Sequence, residues 1–195
     1  MRTFGSTIVS AYIPVFFMKT FPQFQSQYAL INAGIYTFLG FSSNILGGLI
    51  SDFYERKKSY MAKANICMFG AYAAIPLTAI ACFTSNFYLA IFAFALKILF
   101  SGGHFAPAVT MMQNATDSSN SGFVVSAYSF YAHISETFAP LIFSSLALKY
   151  NATAIPRVYG YLVFAAVLFG YGLSNIFYYR AGKEYKKQME EKDRA

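Results

Sequence analysis

Gly48-Leu49-Ile50-Ser51-Asp52-Phe53-Tyr54-Glu55-Arg56-Lys57-Lys58 is the stretch on which the fold of this chain turns. An apolar run reaches it from about Gln25, and another leaves it from about Ser59. Between them lie an aspartate and three consecutive bases. A short, basic break between long apolar runs marks where a chain leaves a bilayer and turns back, because positive loops are retained on the cytoplasmic side. Gly47 and Gly48 have no side chains to hold a neighbouring helix away.

The rest of the chain agrees. Hydrophobic residues make up 56% and charged residues 12%, against about 45–50% and about 25% in soluble domains. Six apolar segments cover residues 3–21, 25–52, 59–83, 87–113, 121–149 and 157–181. A helix of about 20 residues crosses the hydrocarbon core, and none of the segments alternates as a transmembrane strand does. The expectation is an all-α polytopic membrane protein of six transmembrane helices. Residues 1–181 would form the membrane domain, and 182–195 a charged cytoplasmic tail, either a solvated helical extension or disordered. Pro22, Thr84-Ser85-Asn86, the Asp117–Gly122 run and the Asn151–Pro156 run punctuate the segments, with Ser85 or Asn86 as the cap of the fourth.

Charge placement sets the expected orientation. Arg2, Arg56, Lys57, Lys58, Lys63 and six bases from Arg180 to Arg194 fall on one side, eleven against three (Lys19, Lys149 and Arg157) on the other. Both termini are therefore expected in the cytoplasm. Arg2 ahead of an apolar run resembles a signal peptide, but no small-residue cleavage site follows. The net charge of +7 is not arranged as a basic patch with exposed aromatics, so no nucleic-acid partner is expected. Cys67 and Cys82 lie too far apart on one helix to bridge. Metal-site, nucleophile-elbow and phosphate-loop motifs are absent from the sequence, so no enzyme activity, metal or cofactor is expected. Sequons at Asn114 and Asn151 read as accidental, the first inside and the second too close to the membrane.

Polar residues inside apolar segments are functional candidates, because the bilayer penalises them. Lys97, Ser101 and His104 share a helical face in the fourth segment, and Asn32, Tyr36 and Ser43 follow a similar spacing in the second. In the fifth, Ser126, Ser129, His133 and Glu136 line another face, with His133 and Glu136 adjacent at i, i+3. Glu136 and His133 suit a proton pathway; a static buried pair or a hydrogen bond between helices is the alternative. Lys97 has three readings: an anion ligand, a partner of Glu136 across a cavity, or a snorkelling side chain. His104 is either a cavity residue or a packed one.

The opening stretch resembles the loop motif of the major facilitator superfamily, whose pattern is glycine, three residues, aspartate, base, any residue, glycine, then two bases. Gly48, Asp52, Arg56 and Lys57 match it; Phe53 and Glu55 replace the first base and second glycine. That erosion resembles the copy in the second half of family members. Phe105–Asn114 resembles the tenth helix of spinster-like members, though Ser101-Gly102-Gly103-His104 stands where those often carry an acid. Ser126–Tyr131 with Ala139-Pro140 resembles the helix after it, and Pro156–Tyr161 the start of the twelfth.

The resemblance implies a C-terminal six-helix half built of two inverted three-helix repeats. It implies secondary transport of a small organic or lipid-like solute by alternating access, with proton coupling as one option. The first, second, fourth and fifth helices of each half line the cavity in this family. Gly48, Asp52, Arg56 and Lys57 would form a gating loop, Asp52 meeting the N-terminus of a helix in the other half. Implied partners are membrane lipid, the solute, and a missing N-terminal half or a second copy. The competing expectations are a non-transporting assembly subunit, an inactive half-transporter relic, or a six-helix channel.

Overall fold

The computed structural model describes residues 1–117, 119–152 and 154–194. Ser118 of the fourth break, Thr153 of the second sequon and Ala195 of the tail lie outside the described residues. Among the described residues the regular structure is all helical. Its elements are α1 (Arg2–Thr20), α2 (Gln25–Gly34), α3 (Phe41–Arg56), α4 (Ala62–Phe83), α5 (Phe87–Gly102), α6 (Phe105–Asn114), α7 (Ser121–Lys149) and α8 (Pro156–Arg194).

A π-helical turn over Ile35–Gly40 joins α2 and α3 into one rod, and a break at Gly102-Gly103-His104 separates α5 from α6. Asn86 caps α5, its Oδ1 accepting from the Tyr88 and Leu89 N–H groups at 2.9 and 3.3 Å. Pro156 opens α8, where a missing N–H costs nothing.

Four rods are long and apolar enough to cross a membrane: Pro22–Arg56, Ala62–Phe83, Phe87–Asn114 and Pro156–Arg194. The chain was expected to have six. α1 and α7 are diluted by polar residues, among them Ser6, Thr7 and Ser10 in α1 and Ser126, Ser129, His133, Glu136, Ser144 and Ser145 in α7.

α4 packs along both α8 and α5, α1 packs on α8 and α7, and α3 crosses α5 and α6. An aromatic cluster ties the Pro22 end together: Phe17 stacks on Tyr28 at 4.8 Å, Phe24 on Phe87 at 4.5 Å and Tyr12 on Phe143 at 4.0 Å. Deeper in the bundle a methyl group on Gly47 would run into the Gly103 carbonyl, so two backbones cross in direct contact. The π turn and the helix break flank this crossing, and both glycines are what permit it.

The sixth segment does not stop at residue 181. α8 continues through the expected tail without a break, and Gly182 and Tyr185 are buried against the start of α4. The tail is docked, not merely solvated, because Gly182 lets α8 close onto Ala64 and Met61. By contrast α7 buries only Ala139, Phe143 and Ala147 among its described residues. α6 also meets α7, where Phe105 lies against Tyr128, but the face that carries His133 and Glu136 is exposed.

Candidate functional site

Two polar regions stand out. The first lies mid-bundle, where the helix break frees backbone carbonyls. Ser43 donates to the Leu99 carbonyl at 2.5 Å, and His104 places Nδ1 3.0 Å from the Ser101 carbonyl. Arg2 donates from Nη1 to the Cys67 carbonyl at 2.7 Å and from Nη2 to the Ser101 carbonyl at 2.6 Å. These contacts satisfy groups that no water reaches in a bilayer. A cavity of about 420 Å³ opens beside the break, lined by Ser6, Tyr36, Asn44, Lys97, Ser101 and His104 among others. Lys97, Ser101 and His104 do face one space, as their spacing predicts. Tyr36 joins them from the π turn.

Lys97 and Glu136 are not brought together. The Lys97 ammonium lies 5.6 Å from the centroid of the Tyr171 ring, and the Arg2 guanidinium sits 5.1 Å from that same centroid. Glu136 pairs instead with its neighbour: Oε2 is 2.9 Å from His133 Nδ1, and both side chains are exposed. Asn32 is not part of the cavity lining; its Oδ1 is buried without a partner. Ser126 and Ser129 donate back to the Gly122 and Val125 carbonyls of their own helix, each at 2.9 Å.

The second region is the loop end. Lys63, 1% exposed, bridges Glu55 at 2.7 Å and Asp52 at 3.5 Å. The Tyr185 hydroxyl donates to Glu55 Oε1, and Asn114 Nδ2 donates to the Tyr185 oxygen at 3.1 Å. Lys192 Nζ reaches the Asn114 carbonyl at 2.9 Å. Farther along the tail, Asp193 accepts from Tyr60 at 2.7 Å and pairs with Lys58 at 3.0 Å. The loop, the start of α4, the end of α6 and the tail are therefore held in one knot.

Its electrostatics follow from those contacts. Burial pushes the Glu55 carboxyl upward, but hydrogen bonds from Lys63 and Tyr185, the Lys63 charge and Asn114 together hold it below the ordinary carboxylate range. The Asp193 carboxyl is lowered by its hydrogen bonds from Tyr60 and Lys58, and the Tyr60 phenol is pushed up to about 12 by the same Asp193 bond. Arg56 and Lys57, expected in the gating loop, are not part of the knot; Lys57 sits over the Phe53 ring, 4.2 Å from its centroid.

The family model described as Major Facilitator Superfamily matches residues 1–194. The chain belongs to the major facilitator superfamily. It is thus an integral, multi-pass membrane protein of a family of transporters, not enzymes. No curated protein and no solved structure matches it.

Family membership gives the loop a sharper meaning. Glu55, which stands where the superfamily motif has its second glycine, is the carboxylate that neutralises buried Lys63. The sequence showed Glu55 as an erosion of the motif, whereas spatially it is a replacement with a partner. Lys63 passed as another loop base, and Arg2 as a terminal charge. Nothing in one-dimensional spacing distinguishes them from solvated cations. Tyr185 and Asn114 carried no signal either, since their partners are far off in sequence.

Proposed function

We propose that this chain is one half of a secondary transporter, the spinster-like C-terminal six-helix half, moving a small organic or lipid-like solute by alternating access. The observation that carries the reading is the His133–Glu136 pair. It lies near the middle of α7, on the open side of the helix. A hydrogen-bonded imidazole and carboxyl at that depth are too costly against lipid, so in this reading that side faces a polar space completed by another body. A missing N-terminal half or a second copy supplies that body.

Packing supports the inverted-repeat architecture. Exchange α1 with α5–α6, α3 with α7, and α4 with α8. The contact of α1 with α8 becomes that of α5 with α4, and α1 with α7 becomes α5 with α3, while α4 with α8 maps onto itself. An inverted three-plus-three arrangement has this pattern. The polar dilution of α1 and α7 fits two cavity-lining spans, which brings the spanning helices to six. Positive charge gathered at the loop and tail end supports a cytoplasmic location for that end.

Glu136 takes the coupling proton with His133 as its relay in this reading, and Asp52 gates by docking on a helix N-terminus of the other half. The test uses proteoliposomes holding the chain with an N-terminal six-helix half, and a panel of labelled organic solutes. Uptake driven by a pH gradient is expected with both halves. Glu136→Gln is expected to abolish pH-driven uptake and keep solute exchange, and Asp52→Asn to shift the inward–outward balance measured by thiol accessibility. Failure of every solute with both halves present would favour a non-transporting assembly subunit. Unchanged pH dependence in Glu136→Gln would remove the proton-coupled mechanism.

A further inference from the structure

Among the described residues, three cations are buried, and two of them, Lys97 and Arg2, lack a matching acid, unlike Lys63. Lys97 is 3% exposed and Arg2 5% exposed. Among the described residues, the ion pairs involve Lys58, Lys63, His133 and Lys186, and neither Arg2 nor Lys97 has a carboxylate within 4 Å. Both cations lean on the Tyr171 ring, and the Tyr171 hydroxyl faces Lys97 and Ser6. A ring quadrupole and a phenol soften one buried charge; they do not balance two.

The cations differ in one respect. Arg2 is committed to the Cys67 and Ser101 carbonyls, so it is a fixed charge. Lys97 lines the cavity, with the hydroxyls of Ser6 and Tyr36 and the amide of Asn44 on the same wall. Ile98 and Phe105 add apolar surface beside them. An excess of buried positive charge beside an open polar cavity repels a cation and leaves a neutral solute with the imbalance uncorrected. An anion corrects it.

We infer that the cavity receives the head group of an organic anion, a carboxylate, sulfate or phosphate, with Lys97 as its direct counter-charge and Arg2 as a fixed second charge behind Tyr171. This assignment rests on the transporter reading above and supplies its substrate class. The same head group belongs to lipid-like amphiphiles and to free soluble anions, and the experiment separates these sources.

The full chain is placed in phosphatidylcholine nanodiscs and titrated calorimetrically with monododecyl phosphate, inorganic phosphate and dodecyltrimethylammonium. Monododecyl phosphate is expected to bind saturably, about tenfold or more weakly in Lys97→Met and little changed in Lys97→Arg. Dodecyltrimethylammonium is expected not to compete. Lys97-dependent binding of inorganic phosphate would assign a free anion, and its absence a lipid-like one. Ligand-free Lys97→Met is expected to melt no lower than the parent, since it removes an unbalanced charge while keeping the side-chain volume. Equal affinity in Lys97→Met, equal binding of the cationic probe, or a large loss of ligand-free stability in Lys97→Met would each overturn the assignment, the last by making Lys97 structural. Failed transport with Lys97-dependent binding intact would sink the transporter reading alone. Transport without such binding would sink this one alone.

Discussion

Replacing Gly47 with alanine tests the helix crossing on which the mid-bundle cavity depends. The added methyl collides with the Gly103 carbonyl and lies 2.7 Å from the Gly103 Cα, where ordinary contact begins at 3.4 Å. Both obstacles are backbone, so neither can rotate away. α3 must retreat, which costs about 1–3 kcal/mol of packing. The retreat also stretches the 2.5 Å bond from Ser43 to the Leu99 carbonyl, worth about 0.5–1.5 kcal/mol. Alanine returns roughly 1 kcal/mol through helix propensity. The net is a loss of about 2 kcal/mol, or a melting point lower by roughly 4–8 °C for a chain of this size. Cys67 and Cys82 are free and buried, so a thiol-reactive fluorogenic dye reports unfolding without any added label. Gly34→Ala and Gly122→Ala are the controls, because a methyl at either meets nothing within 4 Å. A Gly47→Ala protein that melts with those controls would refute the crossing.

Two further predictions concern the loop end. Glu55 titrates below its unfolded value of about 4.3, so its contribution is complete above that value and is lost as pH falls through the lower native one. Glu55→Gln is expected to cost roughly 2 kcal/mol at neutral pH, because Lys63 keeps only the longer contact to Asp52. It should also shrink the acid-side fall in melting temperature, and an unchanged fall would remove Glu55 from the knot. For orientation, Lys57→Cys and Lys187→Cys are expected to resist an impermeant thiol reagent in intact cells while Gln23→Cys reacts; labelling at either of the first two would reverse the proposed topology.

The helical segments were legible because a bilayer imposes one simple demand, a run of apolar residues of sufficient length. Thus the breaks at Pro22, Asn86 and Pro156 could be placed to within a residue or two. Lys97, Ser101 and His104 were legible as a group for a similar reason, since helical spacing fixes a shared face even across the Gly102-Gly103 break. Arg2 was not, because a charged residue opening a helix looks the same whether it meets water or the Cys67 carbonyl. The adjacency of His133 and Glu136 was legible from their i, i+3 spacing, whereas a partner for Lys97 was left open among an anion, Glu136 and the membrane surface. Packing turned Lys97 onto Tyr171, a residue that neither period nor polarity had singled out. A helical tail was one of the two forms expected, and its helix runs on to Arg194; its docking was not legible, because its Lys and Glu content outweighs the single glycine and tyrosine that anchor it.

That anchoring makes the end of α8 an instrument. Tyr185 touches Glu55, and Asp193 touches Lys58 and Tyr60. Any rearrangement of the loop must therefore tug on the last turns of the helix. A fluorophore or spin label near Lys192 would read out motion at α3 through a stiff rod, with no modification inside the membrane. The same linkage means that a bulky fusion close behind α8 would load the loop it was meant to leave alone.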